Sequence, residues 1–310
     1  MHPGLKTLLA LGATGVTFAS AACVPPPNPL AVKHFNATTA MGEIQKARVI
    51  KIGVPTDAPP FGYRSHRGGT LRGFDVQLGK FVADALGVEA RFIGVKSRGL
   101  AGSRRLISLM SDGSANVVFP LEPITETAVR RYSFTDPYYV AHQRLLVAAN
   151  STITNPSDLS RKTVCSYIDP ATEIPPTTLA SGVRVIKATT PQDCVRLIKS
   201  KKAVAATSAD VFLMGMRAAL LKPRRRGTRF VIRGDALTTE GYGAVVETSL
   251  PGLAAFVDNV LGAIKNDGRW TEAYRRWIAP YTNIPSPQPP RLSLQEAAAL
   301  FPTGVKPTGS

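Results

Sequence analysis

An alternation of strand-like and helix-like segments constrains the fold of this chain more than any other feature. Residues 49–54 are rich in β-branched side chains and stop at a proline, which is typical of a buried strand. Residues 73–86 carry apolar side chains at helical spacing and are closed by Gly87, and residues 90–95 again have a strand pattern. A strand, a helix and a strand at this spacing form a βαβ unit. We therefore expect an α/β protein with a parallel sheet covered by helices.

The alternation returns in a second set of segments. We predict long strands at residues 143–149 and 243–247. Between them, the same signals predict strands at 163–166, 184–187, 203–207 and 228–233 and helices at 177–179, 192–200 and 211–221. The simplest topology inserts one lobe into another through two crossing strands, with lobe 1 at residues 42–142 and 246–280 and lobe 2 at residues 143–245. Residues 281–310 form a Pro-rich tail with one small amphipathic piece at 293–301, which we expect to lie on the surface or stay partly mobile.

Residues 1–22 have the form of a signal peptide. A weakly basic stretch precedes the apolar run 8–19, which is too short to span a bilayer of about 30 Å. Small residues before Cys23 favour lipoprotein processing, in which Cys23 carries the lipid. Simple cleavage after the signal peptide remains the alternative, because Ser20 stands where an aliphatic residue is usual. Residues 23–41 include a proline run that favours extended geometry, as a tether between a membrane and a folded domain requires.

The cysteines agree with export. Exported thiols seldom stay free, so with Cys23 lipidated, Cys165 and Cys194 are candidates for a disulfide. Two buried thiols are the alternative, and a zinc site is disfavoured because no His/Cys cluster accompanies the pair. No nucleophile–base pair or metal-ligand spacing occurs around the histidines, so we predict no enzyme activity, no metal and no cofactor.

The chain is strongly basic, with a formal net charge of +17. Such a balance raises nucleic-acid binding as a hypothesis, but export and the scattered placement of the basic residues argue against it. One tight basic run, residues 222–226, lies in a loop bounded by proline and glycine. Its two interpretations are a solvated loop and a contact with anionic lipid head groups or cell-wall polymers.

An ordered set of motifs resembles the family 3 extracellular solute-binding proteins, the glutamine and glutamate receptors of ABC importers. The motifs span about residues 42–279 and comprise 53–63 (GVPTDAPPFGY), 72–76 (RGFDV), 132–139 (YSFTDPYY), 242–243 (YG) and 266–270 (NDGRW), with Tyr274 and Trp277. Residues 158–165 (DLSRKTVC) and 192–194 (QDC) are similar to the disulfide-bearing glutamate/glutamine lipoproteins of actinobacteria. This likeness implies that Cys165 and Cys194 form a bridge within lobe 2.

The resemblance implies a two-lobed periplasmic-binding-protein-like fold of type II, with the lobes joined by two crossing strands. It also implies a monomeric receptor, tethered to the outer face of the cytoplasmic membrane, that passes a small polar solute, an amino acid or an amine, to an ABC permease. No nucleic acid is expected as a partner.

In such receptors a zwitterion clamp holds the amino acid, and here several clamp positions have changed. An arginine should take the α-carboxylate, but its position holds Ala128, and Arg130, two residues later, faces away on a helix. The preceding threonine position holds Pro123, while Thr125 is kept and is expected to cap the helix.

The lobe 2 positions of the clamp are altered in the same way. The Gly-Thr turn that offers N–H groups falls at Asp169-Pro170, where an acid would repel a carboxylate. The ammonium-binding aspartate falls at Ala209, beside Asp210. A one-residue slip would let Asp210 bind the ammonium group; the alternative is that Asp210 caps the following helix.

The candidate ligand-binding residues lie on both sides of the expected cleft. They are Asp57, Phe61, Tyr63, Arg98, Glu122, Thr125, Asp169, Thr172, Asp210 and Tyr242. Phe61 and Tyr63 have core packing as their alternative role. The acids among the candidates favour a cationic or amine-bearing ligand over an anionic one. Two functions follow: an uptake receptor with altered ligand preference, or a sensor or scaffold lipoprotein that kept the fold and lost amino-acid binding.

Overall fold

The helices and strands follow the predicted alternation. The structure, a computed structural model, describes residues 32–65, 68–96, 99–167, 174–175, 177, 180–220, 229–282 and 288–300, without the side chains of 99–101. The strands are β1 (Val49–Pro55), β2 (Asp57–Ala58), β3 (Gly62–Arg64), β4 (Leu71–Arg72), β5 (Glu89–Val95), β6 (Val117–Val118), β7 (Ser133–Phe134), β8 (Tyr139–Ala141), β9 (Gln143–Ala148), β10 (Thr163–Ser166), β11 (Arg184–Lys187), β12 (Ala205–Ala209), β13 (Phe230–Arg233), β14 (Glu240–Tyr242) and β15 (Val245–Val246). The helices are α1 (Ala40–Ala47), α2 (Phe74–Leu86), α3 (Gly99–Ser111), α4 (Glu126–Val129), α5 (Pro191–Lys199), α6 (Asp210–Leu220), α7 (Pro251–Asn266), α8 (Arg269–Trp277) and α9 (Leu294–Ala299). Within these ranges no helix has both the length and the apolar character needed to cross a bilayer.

A mixed sheet forms the core of lobe 1. Its strand order is β5-β1-β6-β15-β7, with β1 parallel to β5 and β6 and with β15 antiparallel to its two neighbours. The apolar stripe of α2 packs on β1 and β5, and the helix ends at Gly87, as predicted. At the start of α2, Gly73 has a φ of 131° and lies against the backbone of Phe61, where a Cβ would come within 2.1 Å of the carbonyl oxygen. This close approach fixes the Phe61 loop to the helix.

A second five-stranded sheet forms lobe 2, in the order β11-β10-β12-β9-β13. β10, β11 and β12 run parallel, and β9 runs antiparallel to both β12 and β13. All five strands come from one continuous stretch of chain, and α5 and α6 pack on them. Lobe 2 is therefore an insertion between β7 and β15 of the lobe 1 sheet.

The strands that connect the lobes lie a few residues before the predicted ones. β8 and β14 pair antiparallel as a two-stranded ribbon, with Tyr139 opposite Tyr242. The predicted strand at 143–149 is β9 inside lobe 2, and within 243–247 only β15 is a strand, inside the lobe 1 sheet. Gly243 lies between the ribbon and β15, and a Cβ there would lie 2.7 Å from the Thr135 carbonyl oxygen, so the backbone passes close to Thr135. An apolar run does not reveal which sheet it joins.

Helix α9, within the predicted tail, is docked on the surface of lobe 1. Ala297 and Ala298 are buried against Ile124 and Phe134. The Leu294 N–H donates to Asp136 Oδ1 at 2.6 Å. The small alanine side chains let the helix approach the connecting ribbon closely, and this fit explains why a weakly apolar segment is held.

A disulfide joins Cys165 in β10 to Cys194 in α5, as the resemblance implied. Both cysteines are fully buried in lobe 2. The bridge fixes the helix to the strand that leads into the cleft side of lobe 2.

Candidate functional site

The candidates Asp57 and Tyr63 lie in the small sheet β2-β3-β4 of lobe 1. Asp57 in β2 pairs with Tyr63 in β3, and both are half-buried. The Tyr63 ring meets Trp277 edge-on at 6.5 Å, and the Arg72 guanidinium lies 5.7 Å from the Tyr63 ring centroid. Tyr63 is thereby fixed in an aromatic and basic cluster between the small sheet and the end of α8.

Phe61 is a core residue, in agreement with the second of the roles considered for it. Its side chain is completely buried, and its ring packs edge-on against Phe74 at 6.2 Å and Tyr139 at 5.1 Å. Since Tyr139 belongs to the connecting ribbon, Phe61 links the core of lobe 1 to the hinge. It cannot contact a ligand in this conformation.

Helix α4 lacks the cation that would hold a carboxylate. Thr125 caps the helix as predicted, with its hydroxyl accepting from the Ala128 N–H at 3.2 Å. Ala128 packs among apolar side chains of lobe 1. The Arg130 side chain is 66% exposed and lies 3.5 Å from Glu126, so it faces solvent, as the helical geometry predicted. Pro123 forms an isolated bridge to Tyr242 and has no N–H to donate.

The hinge contains a buried acid that holds the ribbon. Glu240 is 1% exposed and accepts hydrogen bonds from the Thr238 hydroxyl at 2.9 Å and from the Tyr242 hydroxyl at 3.0 Å. The candidate Tyr242 is thus a buried hinge residue. Glu122, another candidate, is half-buried directly before the Pro123–Tyr242 bridge, with its Oε2 atom out of solvent.

Asp210 lies at the meeting point of the two lobes. It is the first residue of α6, and its carboxylate accepts from the Tyr139 hydroxyl at 3.3 Å and lies 4.0 Å from the Arg144 Nε atom. Its own N–H donates to the His142 carbonyl oxygen at 2.9 Å. The aspartate therefore joins lobe 2 to the connecting ribbon, a contact that neither predicted role includes.

Burial dominates the electrostatics of this cluster. It raises the pKa of Asp210 to about 7, although Arg144 and the hydrogen bonds from Tyr139 and the backbone oppose the rise. Burial and the neighbouring Asp210 carboxylate raise the pKa of Tyr139 well above its usual range. Burial also lowers the pKa of His142, whose ring nitrogen lies 2.7 Å from the Thr238 carbonyl oxygen. The site therefore contains one carboxyl group, that of Asp210, which changes charge near neutral pH.

Gln143 fixes the backbone at Ile174 to lobe 2. Its side-chain amide exchanges two hydrogen bonds of 2.7 Å with the backbone of Ile174 and donates to the Thr207 hydroxyl at 3.3 Å. Tyr167, at the end of β10, packs edge-on against Phe212 of α6 at 5.1 Å. The candidates Arg98, Asp169 and Thr172, like the lipidation candidate Cys23, lie outside the described residues.

Sequence reasoning missed the residues that organise this site. Tyr139, Gln143 and Arg144 were not candidates, although a glutamine and an arginine at the start of an otherwise apolar strand were an available signal. A polar side chain in a buried strand needs a partner, and here the partners are Ile174 and Asp210.

The family model of bacterial extracellular solute-binding proteins, family 3, matches residues 50–280. The chain belongs to this family. The match covers both lobes and the connecting ribbon, and the family assignment agrees with the two-lobed fold and with the sequence resemblance.

Curated relatives of this family member bind amino acids. It is 28% identical over 233 residues to the ABC transporter glutamine-binding protein GlnH of Bacillus subtilis, covering 74% of this chain and 81% of the relative. It is 26% identical over 275 residues to the arginine-binding extracellular protein ArtP of the same organism, covering 88% and 98%. These relatives are solute-binding proteins rather than enzymes.

Solved structures of the family share the architecture. A crystal structure of a mutant of the arginine-binding protein ArgBP from T. maritima superposes with a TM-score of 0.58 at 26% identity, covering 78% of this chain and all of that chain. An ancestral arginine-binding protein bound to arginine gives a TM-score of 0.57 at 26% identity, covering 74% and 98%.

Proposed function

We propose that this family 3 protein is the lipid-anchored substrate-binding component of an ABC-type uptake system, and that its ligand is a small amine-bearing solute held without the usual carboxylate clamp. The ligand enters between the lobes, the lobes close on it, and a permease recognises the closed form. Binding of glutamine and arginine by the relatives supports the ligand class of small polar amino acids and amines.

The main support for an altered ligand preference is the lack of an arginine at the clamp position in α4. Ala128 stands where the resemblance requires an arginine, and the nearest cation, Arg130, is directed to solvent. Asp57 and Glu122 supply negative charge on the lobe 1 side. A carboxylate placed beside α4 would meet Asp57 and Glu122 with no arginine at position 128 to pair with, whereas an ammonium group would be attracted.

A ligand panel tests the proposal. The exported chain carrying Cys23→Ser, and therefore no lipid, is titrated with arginine, glutamine and glutamate, and with amines that lack the carboxylate, such as agmatine and putrescine. Binding to the folded form raises the unfolding free energy by about 2.7 kcal/mol at a hundred-fold excess over Kd, so the melting temperature reports it. We expect agmatine to bind as tightly as arginine. Stronger binding of arginine than of agmatine, its matching amine, would overturn the proposed preference.

Two substitutions in the protein test the same ligand preference. Ala128→Arg restores a guanidinium at the clamp position, so we expect amino acids to gain at least about tenfold in affinity relative to amines, as a bidentate charge-assisted pair provides. The matched control, Arg130→Ala, removes a solvent-facing arginine two residues away and should leave the ratio unchanged. The proposal fails if the control, and not Ala128→Arg, changes the ratio.

A sensor or scaffold function is the second candidate, and the contact between the lobes favours it. Tyr139 donates to Asp210 and joins α6 to the ribbon, a contact within the chain that could bias the arrangement of the lobes without a ligand. If none of the amino acids or amines shifts the melting temperature at millimolar concentration, the sensor or scaffold function replaces the uptake receptor.

The proposed anchor has its own test. Cys23 carries the lipid, and the proline run after it holds the domain at the outer face of the cytoplasmic membrane. The predicted tether of residues 23–41 is too long at its C-terminal end, because Phe35 packs against Phe256 and α1 begins at Ala40. We expect the wild-type chain in the membrane fraction and the Cys23→Ser chain in the soluble extracytoplasmic fraction. Equal distribution of the two chains would favour simple cleavage near Ala21 or Ala22.

A further inference from the structure

One end of lobe 2, opposite to the cleft, collects basic residues from several elements. β10, β11, β12 and β13 all begin at this edge of the sheet, because they run in the same direction, and α5 ends there. The side chains that this topology brings together are Arg161, Lys162, Arg184, Lys199, Lys201, Lys202 and Arg229. We call these seven residues the basic edge.

Backbone contacts confirm that the segments adjoin. The Val204 N–H donates to the Thr163 carbonyl oxygen at 2.9 Å, which sets the turn after α5 beside the start of β10. The Arg161 N–H donates to the Ser181 carbonyl oxygen at 3.0 Å, which joins the start of β10 to the approach to β11. On the far side, the Arg229 carbonyl oxygen accepts from Ala149 at 2.7 Å. Four strand spacings of about 4.8 Å separate β11 from β13, so the charges spread over roughly 20 Å.

The side chains of the basic edge are directed mainly to solvent in the described part of the chain. All of its members except Lys162 are exposed. None of them forms one of the ion pairs found among the described residues. The adjacent Asp158 carboxylate accepts from the N–H groups of Thr154 and Asn155, and Lys162 donates to the Asp158 carbonyl oxygen at 3.0 Å.

An exposed aliphatic side chain lies among these charges. Val204 is 44% exposed, two residues after Lys202 and directly before the buried start of β12. The corresponding edge of lobe 1 differs: its shallow pocket mixes Arg48 and His34 with Asp84 and Glu89. This part of the lobe 1 edge therefore carries charges of both signs, whereas the seven residues of the basic edge carry one.

From these observations we infer that the basic edge of lobe 2 docks on a bilayer of anionic phospholipid. Flexible lysines on a broad edge suit many phosphate groups of a fluid surface better than one shaped ligand. An exposed valine amid the lysines suits the boundary between head groups and acyl chains, a feature that a soluble polyanion would not use. This inference is independent of the proposed ligand, because the basic edge is at the far end of lobe 2 from the cleft.

Vesicle sedimentation tests the inference. The exported chain with Cys23→Ser is mixed with vesicles of phosphatidylcholine containing phosphatidylglycerol, and with vesicles of phosphatidylcholine alone. We expect binding to the anionic vesicles only, weakened by added salt because the exposed charges are screened. Absence of binding to anionic vesicles at low salt, or equal binding to both vesicles, would overturn the inference.

Two triple variants separate local charge from net charge. Lys199→Glu, Lys201→Glu and Lys202→Glu reverse three charges of the basic edge, and Lys46→Glu, Lys80→Glu and Arg131→Glu reverse three exposed charges of lobe 1. Both triples change the net charge equally. We expect the first to lower vesicle binding by more than about tenfold and the second by much less. Equal losses would mean that only net charge matters.

A single substitution, which disturbs folding less than the triple variants, distinguishes a bilayer from a soluble polyanion as the binding partner. Val204→Ser should lower binding to anionic vesicles while leaving binding to soluble polyphosphate unchanged. If Val204→Ser changes neither, and polyphosphate binds as tightly as vesicles, the basic edge is a polyanion site and the bilayer inference is wrong.

Discussion

Asp210 shows how one residue position alters the chemistry of a binding cleft. A carboxylate at Ala209 would belong to the end of β12, whereas the observed acid begins α6 and meets Tyr139 and Arg144. The acid is therefore part of the hinge. Its surroundings, rather than its identity, determine whether it is charged near neutral pH.

The raised pKa of Asp210 predicts a pH-dependent stability. The folded state binds the Asp210 proton up to about pH 7, whereas the unfolded chain releases it near the ordinary value of 3.8. This contribution is fully present below the unfolded pKa and is lost as the pH rises through the folded pKa, by up to roughly 4 kcal/mol. Asp210→Asn removes this titration. The difference in unfolding free energy between the variant and wild type should therefore change with pH between about 3.8 and about 7. Urea unfolding at several pH values measures this difference.

The control for this experiment is Asp84→Asn, because Asp84 is exposed. Its unfolding free energy should follow that of wild type at every pH. If Asp210→Asn also follows wild type between pH 4 and pH 7, the titration of Asp210 does not contribute to stability in that range.

Features that lie within one helix were predictable from sequence, whereas contacts between distant helices and strands were not. The Thr125 cap and the solvent-facing Arg130 depend on helical geometry within a few residues, and local spacing predicts them. The meeting of Tyr139, Arg144 and Asp210 depends on residues up to 71 positions apart, and no local pattern encodes it. The connecting ribbon was misplaced for the same reason, since strand composition does not identify the pairing partner.

The disulfide stabilises the packing of α5 against β10. It closes a separation of 29 residues, which corresponds to about 3–4 kcal/mol on a chain-entropy estimate. We expect the double variant Cys165→Ser and Cys194→Ser to lose this amount of unfolding free energy in denaturant titration. Cys23→Ser alone, in the same background, serves as the control and should be neutral. An unchanged midpoint in the double variant would contradict the estimate.

The docking of α9 depends on small side chains. Ala297 is fully buried, and its Cβ would lie 2.8 Å from a Cβ placed on Gly241. We expect Ala297→Arg to release the helix, to lower the unfolding free energy by about 1–3 kcal/mol and to open residues 288–300 to protease. Ala299→Arg, on the exposed side of the same helix, is the control. Equal protection of both variants would mean that the helix is not held by this contact.

At the scale of the whole molecule, the two lobes touch along α6. A Cβ on Gly215 would lie 3.2 Å from the Pro59 carbonyl oxygen in lobe 1, and the contacts of Asp210 lie one and a half turns earlier on the same helix. The missing side chain at Gly215 is thus what permits the lobes to approach.

A wedge at this contact should hold the lobes apart. We expect Gly215→Leu to increase the radius of gyration measured by small-angle scattering and to weaken binding of any ligand that needs closure. Gly262→Leu places the same side chain in the middle of α7, where no heavy atom lies within 4 Å of the added Cβ. The contact is unimportant in solution if both variants scatter as wild type does.

The insertion of lobe 2 between β7 and β15 also sets an order of assembly. As the chain is made from its N-terminus, every strand of the lobe 2 sheet is present once Arg233 has emerged. The lobe 1 sheet at that moment still has a gap between β6 and β7, because β15 fills it later. The lobe that begins first is therefore the last to complete its core, and the inserted lobe is the earlier independent folding unit.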